Sequence, residues 1–357
     1  MACECGQRIS GIVEDGTDLM KPAISIIIPT HNPGADLGPC IEAIFASDFS
    51  DFECILVDDA STDDVTGAIE KYPARLIRLP VNRGPAQARN RGAEASTSGL
   101  LVFLDDDVLV RKETLKMIDN FFKHNSGIDA IFGSYDDKPA HPDFVSQYKN
   151  LFHHFVHQNS KGEASTFWAG CGAIRRDAFS RIGGFQESFS RPSVEDIELG
   201  MRLVKNGYHI ELIKGLQVKH LKKWSLLDML GSDIFHRGIP WAALMLKYRM
   251  ARNDLNTRWS AGLSMLLVLS SVMMLFHGSS HAFWLAAFLL AGFLLLNIRF
   301  YRFFYNKKGW LFTLFVFPMH ILYYIYGGLS LILGFCFYPF STIRKTCGNK
   351  TYAGTLR

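Results

Sequence analysis

The chain has 357 residues, 48% of them hydrophobic, which leaves room for one large soluble domain and a smaller unit at about 100–200 residues per domain. A net charge of +4 confines any nucleic-acid footprint to a local basic patch. Lys and Arg gather only around the apolar segments of the second half, so no nucleic-acid partner is expected. Cys3 and Cys5 are close together, while Cys40, Cys54, Cys171, Cys336 and Cys347 are scattered; the paired spacing of a zinc knuckle is missing, and the pattern reads as reduced thiols.

Residues 1–21 carry Glu4, Glu14, Asp15 and Asp18 and no long apolar core, so no secretory signal is expected and the first domain is expected to be cytoplasmic. Residues 24–28 form a β-branched run ended by Pro29, the pattern of a buried parallel strand. The turn cluster 30–34 leads to Leu37, Ile41, Ile44 and Phe45 at helical spacing. Residues 53–57 repeat the strand signal and end at Asp58-Asp59, and Asp63 and Asp64 fit solvated helix-start positions before Val65, Ala68 and Ile69. A third unit starts at residues 76–79 and passes through Asn82-Arg83-Gly84-Pro85 into an Ala-rich stretch, 87–95. A fourth strand, 100–104, runs into Asp105-Asp106-Asp107.

This alternation predicts an α/β domain with a mainly parallel sheet, in which ligands bind beyond the carboxyl ends of the strands. Asp58-Asp59 and the aspartate triplet are thereby brought toward one crevice. Clustered carboxylates raise one another's pKa unless a cation or donor compensates, so the pattern suggests a site for a metal and a phosphorylated ligand. Further on, the aromatic stretch 144–155 reads either as an acceptor-side lid or as a helix packed by its aromatic face. Residues 166–174 read as another strand, 175–179 as the start of a short helix stopped by Gly183-Gly184, and 194–203 as a helix with Glu195 and Asp196 in its first turn.

Taken together, Ile28-Pro29-Thr30-His31-Asn32, Val57-Asp58-Asp59-Ala60-Ser61-Thr62-Asp63, Asn82-Arg83-Gly84 with Ala88-Arg89-Asn90-Arg91-Gly92, Phe103-Leu104-Asp105-Asp106-Asp107, Ile182-Gly183-Gly184-Phe185 and Glu195-Asp196 resemble the family 2 glycosyltransferases. Those are inverting enzymes with the GT-A fold, and the resemblance covers roughly residues 22–240. It implies a nucleotide-sugar donor bound near Pro29 and His31, with Asp59 at the donor's base and Asp58 supporting it. It implies an Asp-x-Asp motif at Asp105 and Asp107, with Asp106 near the ribose and Asp107 on a divalent metal, Mn2+ or Mg2+. Asp196 is the implied catalytic base. Glu195 either orients it or stabilises the helix start. Arg89 stands either at the donor diphosphate or in a surface salt bridge. His220 lies where several GT-A enzymes place a metal ligand, and a structural histidine is its other reading. The Gln-x-x-Arg-Trp motif of processive members is absent from 236–241, which favours transfer of one sugar per event; Arg237 and Trp241 are read as acceptor contacts or, for Trp241, as an interfacial anchor.

After residue 240 the chain turns apolar. Residues 241–260 read as an amphipathic helix on the membrane surface or a plain linker helix, and spans are expected at about 261–277, 281–299 and 315–337, ahead of a basic tail, 341–357. Lys247, Arg249, Arg252 and Arg258 before the first span, and Arg299, Arg302, Lys307 and Lys308 after the second, put both flanks in the cytoplasm. A third span leaves Arg344, Lys345 and Lys350 outside, against that rule, whereas a re-entrant segment returns them. The expectation is a multi-pass, membrane-anchored, metal-dependent transferase acting on a lipid-linked or membrane-proximal glycan acceptor, in cell-envelope polysaccharide or glycolipid synthesis. Its rivals are a non-catalytic nucleotide-sugar-binding membrane scaffold, disfavoured by Glu195-Asp196, and a nucleotidyltransferase, disfavoured by the lack of a basic triphosphate loop at residues 30–34.

Overall fold

A computed structural model describes residues 21–249 and 259–340; the terminal tails, residues 250–258 of the expected amphipathic helix, and Cys3, Cys5 and Cys347 lie outside the described residues. The first half alternates strands and helices: β1 Ile24–Thr30, α1 Leu37–Phe45, β2 Phe52–Asp58, β3 Ala74–Arg78, α2 Pro85–Ala95, β4 Leu100–Leu104, β5 Val108–Leu109, α3 Thr114–His124 and β6 Ala130–Tyr135. Then come α4 Phe144–Gln158, β7 Glu163–Ala164, β8 Cys171–Arg175, α5 Arg176–Arg181, α6 Glu195–Lys205 and β9 Ile210–His220.

The strands form one sheet in the order β3-β2-β1-β4-β8-β6-β9-β5, with β7 also on β9. β1 to β4 run parallel, β8 is antiparallel to both β4 and β6, and β9 is parallel to β6. The carboxyl ends of β1, β2, β4, β6 and β9 therefore share one edge with the amino end of β8. Helices cover both faces. Ile24, Ile26 and Ile28 meet α1 and α3, while Ile27 and Phe103 meet α2, α5 and α6 on the other side. Burial on both faces is why the strands are continuous apolar runs rather than alternating ones.

Two local readings are corrected. β1 continues through Pro29 to Thr30; its ladder to β4 ends at Ile27, so proline's missing N–H removes no bond on that side. The strand expected at 166–174 is confined to Cys171–Arg175. The residues before it bend back beneath Gly170, where an added Cβ would lie 2.5 Å from the Trp168 ring.

Of the two readings of the aromatic stretch, the structure has the packed helix. Asp143 caps α4 by accepting from Ser146 N at 2.9 Å. Past β9 the chain is helical: α7 Leu226–Gly231, a π-helical turn Ser232–Gly238, α8 Ile239–Tyr248, α9 Trp259–His277, α10 Ser280–Leu296 and α11 Ile298–Phe337. Phe144, Tyr148, Phe152 and Phe155 of α4 pack on Phe312, Phe304, Phe300 and Phe303 of α11, with centroids 4.8–5.9 Å apart. α9 and α11 are long and apolar enough to cross a membrane; α10 is apolar but only 17 residues long. α11 passes unbroken through Pro318 and Gly327-Gly328 and turns at Gly309 (φ 82°, ψ 179°). Its amino-terminal part is tied to the sheet domain by an ion pair between Lys307 and Asp137.

Candidate active site

At the carboxyl edge of β2, Asp59 is buried and its carboxylate collects backbone donors, Arg83 N at 2.9 Å and Gly84 N at 2.6 Å. Gly84 is required there: its φ is 92°, and an added Cβ would sit 2.5 Å from Ser190 C. Asp58 accepts from Ser61 N at 2.8 Å and lies 3.7 Å from Arg78. His31 donates from Nδ1 to the Asp59 carbonyl at 2.9 Å, and Pro29 is buried in β1 opposite Val57, the residue before Asp58. All four lie on one rim.

The triplet follows β4 on the same edge. Asp105 Oδ1 accepts from Arg89 at 2.7 Å and Asp106 Oδ2 from Thr30 Oγ1 at 2.5 Å. Burial pushes Asp106 up to about 7, opposed by the Thr30 bond and aided by its two aspartate neighbours. Burial would also raise Asp107, but His220 and Lys222 beside it hold it below its ordinary value. His220 Nε2 is 3.4 Å from Asp107 Oδ2, and its ring stacks on Tyr135 at 4.2 Å and 12°. Among the described residues no three His, Cys, Asp or Glu side chains close a metal site. Asp107 and His220 nonetheless fit a cation that takes its remaining ligands from phosphate oxygens, the usual habit of Mg2+ and Mn2+.

Arg89 is 5% exposed, which rules out the surface salt bridge. Its other nitrogen, Nη1, donates to Glu195 Oε1 at 2.9 Å, so a single guanidinium ties the triplet to the start of α6. Glu195 Oε2 also accepts from Ser193 N at 2.8 Å. Asp196, next in sequence, is held by Ile197 N at 2.8 Å and Ala169 N at 3.2 Å. Burial and the Glu195 charge push it up to about 7, although Arg89 and the Ala169 bond act the other way. A half-buried carboxylate poised there is suited to accept a proton at neutral pH.

Asp196 also lines a cavity of about 470 Å³ enclosed by α4, α6, the π-helical turn, α8, α9 and α11. Lys149 and Asp233 pair inside it at 2.5 Å, with Tyr326 Oη donating to Asp233 at 2.7 Å. Arg237 donates to His153 Nε2 at 3.2 Å. Sequence reasoning singled out Arg237 and Trp241 but not Lys149, His153 or Asp233. The spacing of His153 and His157, one helical turn apart on an aromatic helix, was the available signal.

Residues 25–183 match the family model described as glycosyl transferase family 2, and residues 149–224 match one described as N-terminal domain of galactosyltransferase. An uncharacterized glycosyltransferase of Haemophilus influenzae is 28% identical over 196 residues, 51% of this chain and 62% of the relative. A PGL/p-HBAD biosynthesis glycosyltransferase of Mycobacterium tuberculosis is 34% identical over 121 residues, 32% of this chain and 47% of the relative. The chain thus spans less than two thirds of the length of either relative. A mannosyltransferase from Pyrobaculum calidifontis, solved in complex with GDP-Man and Mn2+, shares the fold with a TM-score of 0.57 at 18% identity, covering 87% of each chain. With the motif-bearing strand ends on one edge of a mainly parallel sheet, residues 25–183 are similar to the family 2 glycosyltransferases and the domain has the GT-A fold.

Proposed function

We propose that the protein is a membrane-anchored, metal-dependent, inverting glycosyltransferase that moves one sugar per event from a nucleotide-sugar donor to a lipid-linked or membrane-proximal glycan. The reading rests on the Asp105–Arg89–Glu195 bridge, which joins the triplet to the residue beside Asp196, itself facing a cavity shared with the apolar helices. The donor lies along the rim, its base toward Asp59 and Asp58 with Pro29 and His31 alongside, its ribose near Asp106. Asp107 and His220 hold the cation, and the imidazole favours Mn2+ over Mg2+. When bound, that ion offsets the negative charge that gathers on the departing diphosphate.

Asp196 takes the proton of the acceptor hydroxyl. The hydroxyl oxygen bonds to the anomeric carbon as the bond from that carbon to the phosphate oxygen breaks, and the electron pair leaves with the diphosphate. Attack opposite the leaving group inverts the anomeric centre. Arg89, with both Nη groups on carboxylates, acts as a positioning residue rather than as a diphosphate ligand. The charge bias of the flanks of the spans supports a cytoplasmic position for this domain.

The test is Asp196→Asn in the full-length protein, assayed with uridine, guanosine and thymidine diphosphate sugars and Mn2+. Transfer should fall about 10²–10⁴-fold, while donor affinity stays within about twofold of wild type. Preserved transfer, or loss of donor binding alone, would remove Asp196 from the role of base.

A further inference from the structure

The cavity beside Asp196 holds several charged groups, and all but one of its cations are accounted for. Lys149 and Asp233 neutralise one another through two short contacts, 2.5 and 2.6 Å. Burial, with Lys149 and Arg237 nearby, keeps His153 well below its ordinary value, and burial brings His157 down to about 4, so both rings are neutral. Arg237 remains. Its polar contact is the neutral His153 ring, and among the described residues no carboxylate stands in ion-pairing range of it. Asp233 and Asp196 feel its charge from beyond ion-pair distance, so its planar fork, which matches the oxygens of a phosphate, is not taken up by a carboxylate.

The same cavity also has apolar walls. Trp259 and Met265 of α9 and Tyr323 and Leu331 of α11 line it, on the two helices long enough to cross a bilayer. A volume of about 470 Å³ lies within the range of ligand sites and takes a head group with the first part of an apolar chain. Polar and apolar walls are therefore joined in one chamber that Asp196 also lines.

We propose that this chamber is the acceptor site and that its ligand is an anionic amphiphile, a phosphate-linked lipid whose phosphate is gripped by Arg237 and whose apolar chain leaves between α9 and α11. The inference deepens the transferase reading and rests on its acceptor side. The phosphate is held as an anchor, while the hydroxyl that reacts is the one presented to Asp196.

Trp168, Trp241 and Trp259 all line the chamber, so binding is readable as tryptophan quenching in the full-length protein in phosphatidylcholine nanodiscs. Farnesyl phosphate should bind at least about tenfold more tightly than farnesol, as a charge-assisted contact implies. Arg237→Gln should erase that difference and leave farnesol affinity unchanged, and Arg237→Lys should keep part of it. Equal binding of the two probes, or a preference that survives Arg237→Gln, overturns the assignment. Inorganic phosphate binding as tightly as farnesyl phosphate overturns the lipid part. Should Arg237→Gln fail to fold, Met265→Trp plugs the apolar part: loss of farnesyl phosphate binding is expected, and its retention counts against the site. Nucleotide-sugar binding with Mn2+, measured in the same samples, separates the two ideas, because its failure removes the transferase reading while the probe results still judge the chamber.

Discussion

Arg89 and Asp196 set the chemistry at the scale of single residues. Arg89 compensates two carboxylates that would otherwise repel across a poorly solvated gap. Replacing it with Met should cost about 3–5 kcal/mol, the penalty for stranding buried charges, and appear as a lower melting temperature together with lost transfer. Arg89→Lys keeps the charge but not the fork and should fall between. Asp196, pushed up to about 7, must be ionised to take a proton. The rate at saturating substrate should therefore climb with pH through about 7 and flatten above it. An acid limb near the ordinary carboxylate value of about 4 would mean that another group is the base.

Elements explain how those residues come to stand together, and how far the sequence discloses it. The four β-branched or aliphatic runs were legible because both sheet faces are covered, and the aspartates after β2 and β4 were legible because parallel strands put their carboxyl ends on one edge. Pro29 misled because a proline interrupts a ladder only on the side its N–H would face, and on the β4 side the ladder has already ended at Ile27. Arg89 was ambiguous because its partners are 16 and 106 residues away, a distance no local pattern encodes. The π-helical turn that presents Arg237 and Asp233 has the composition of an ordinary helix, so nothing in the residues marks it. Between β3 and α2, Gly84 carries both a left-handed φ and a bond to Asp59. Gly84→Ala should cost about 1–3 kcal/mol from backbone strain, more with the Ser190 clash. It should weaken nucleotide-sugar binding more than turnover, as titration and kinetics on one preparation would reveal.

Over the whole molecule, sheet domain and apolar helices are one packed body rather than a head on a tether. The aromatic face of α4 has its partners on α11, and Gly334 lets α8 approach so closely that a Cβ there would lie 2.4 Å from that of Ala242. No sequence window contains both halves of such a contact, which is why the aromatic stretch read equally as a lid. A protein cut after residue 249 should expose the α4 face and aggregate, as light scattering would report, instead of yielding a soluble domain. Recovery of a monodisperse fragment with wild-type melting would show that the two halves fold independently.

The break at Gly309 has a consequence for reach. Before it, α11 is pinned through Lys307 to Asp137; beyond it, the same helix still packs on α4 through Phe312 and Tyr323 and runs on as the apolar segment. In the proposed membrane arrangement this makes a bracket of fixed arm, setting the height of Asp196 above the lipid surface. A bracket is also a ruler. Under that proposal, acceptors whose hydroxyl stands at that height would be served, and glycans longer or shorter by a sugar would present the wrong group to Asp196.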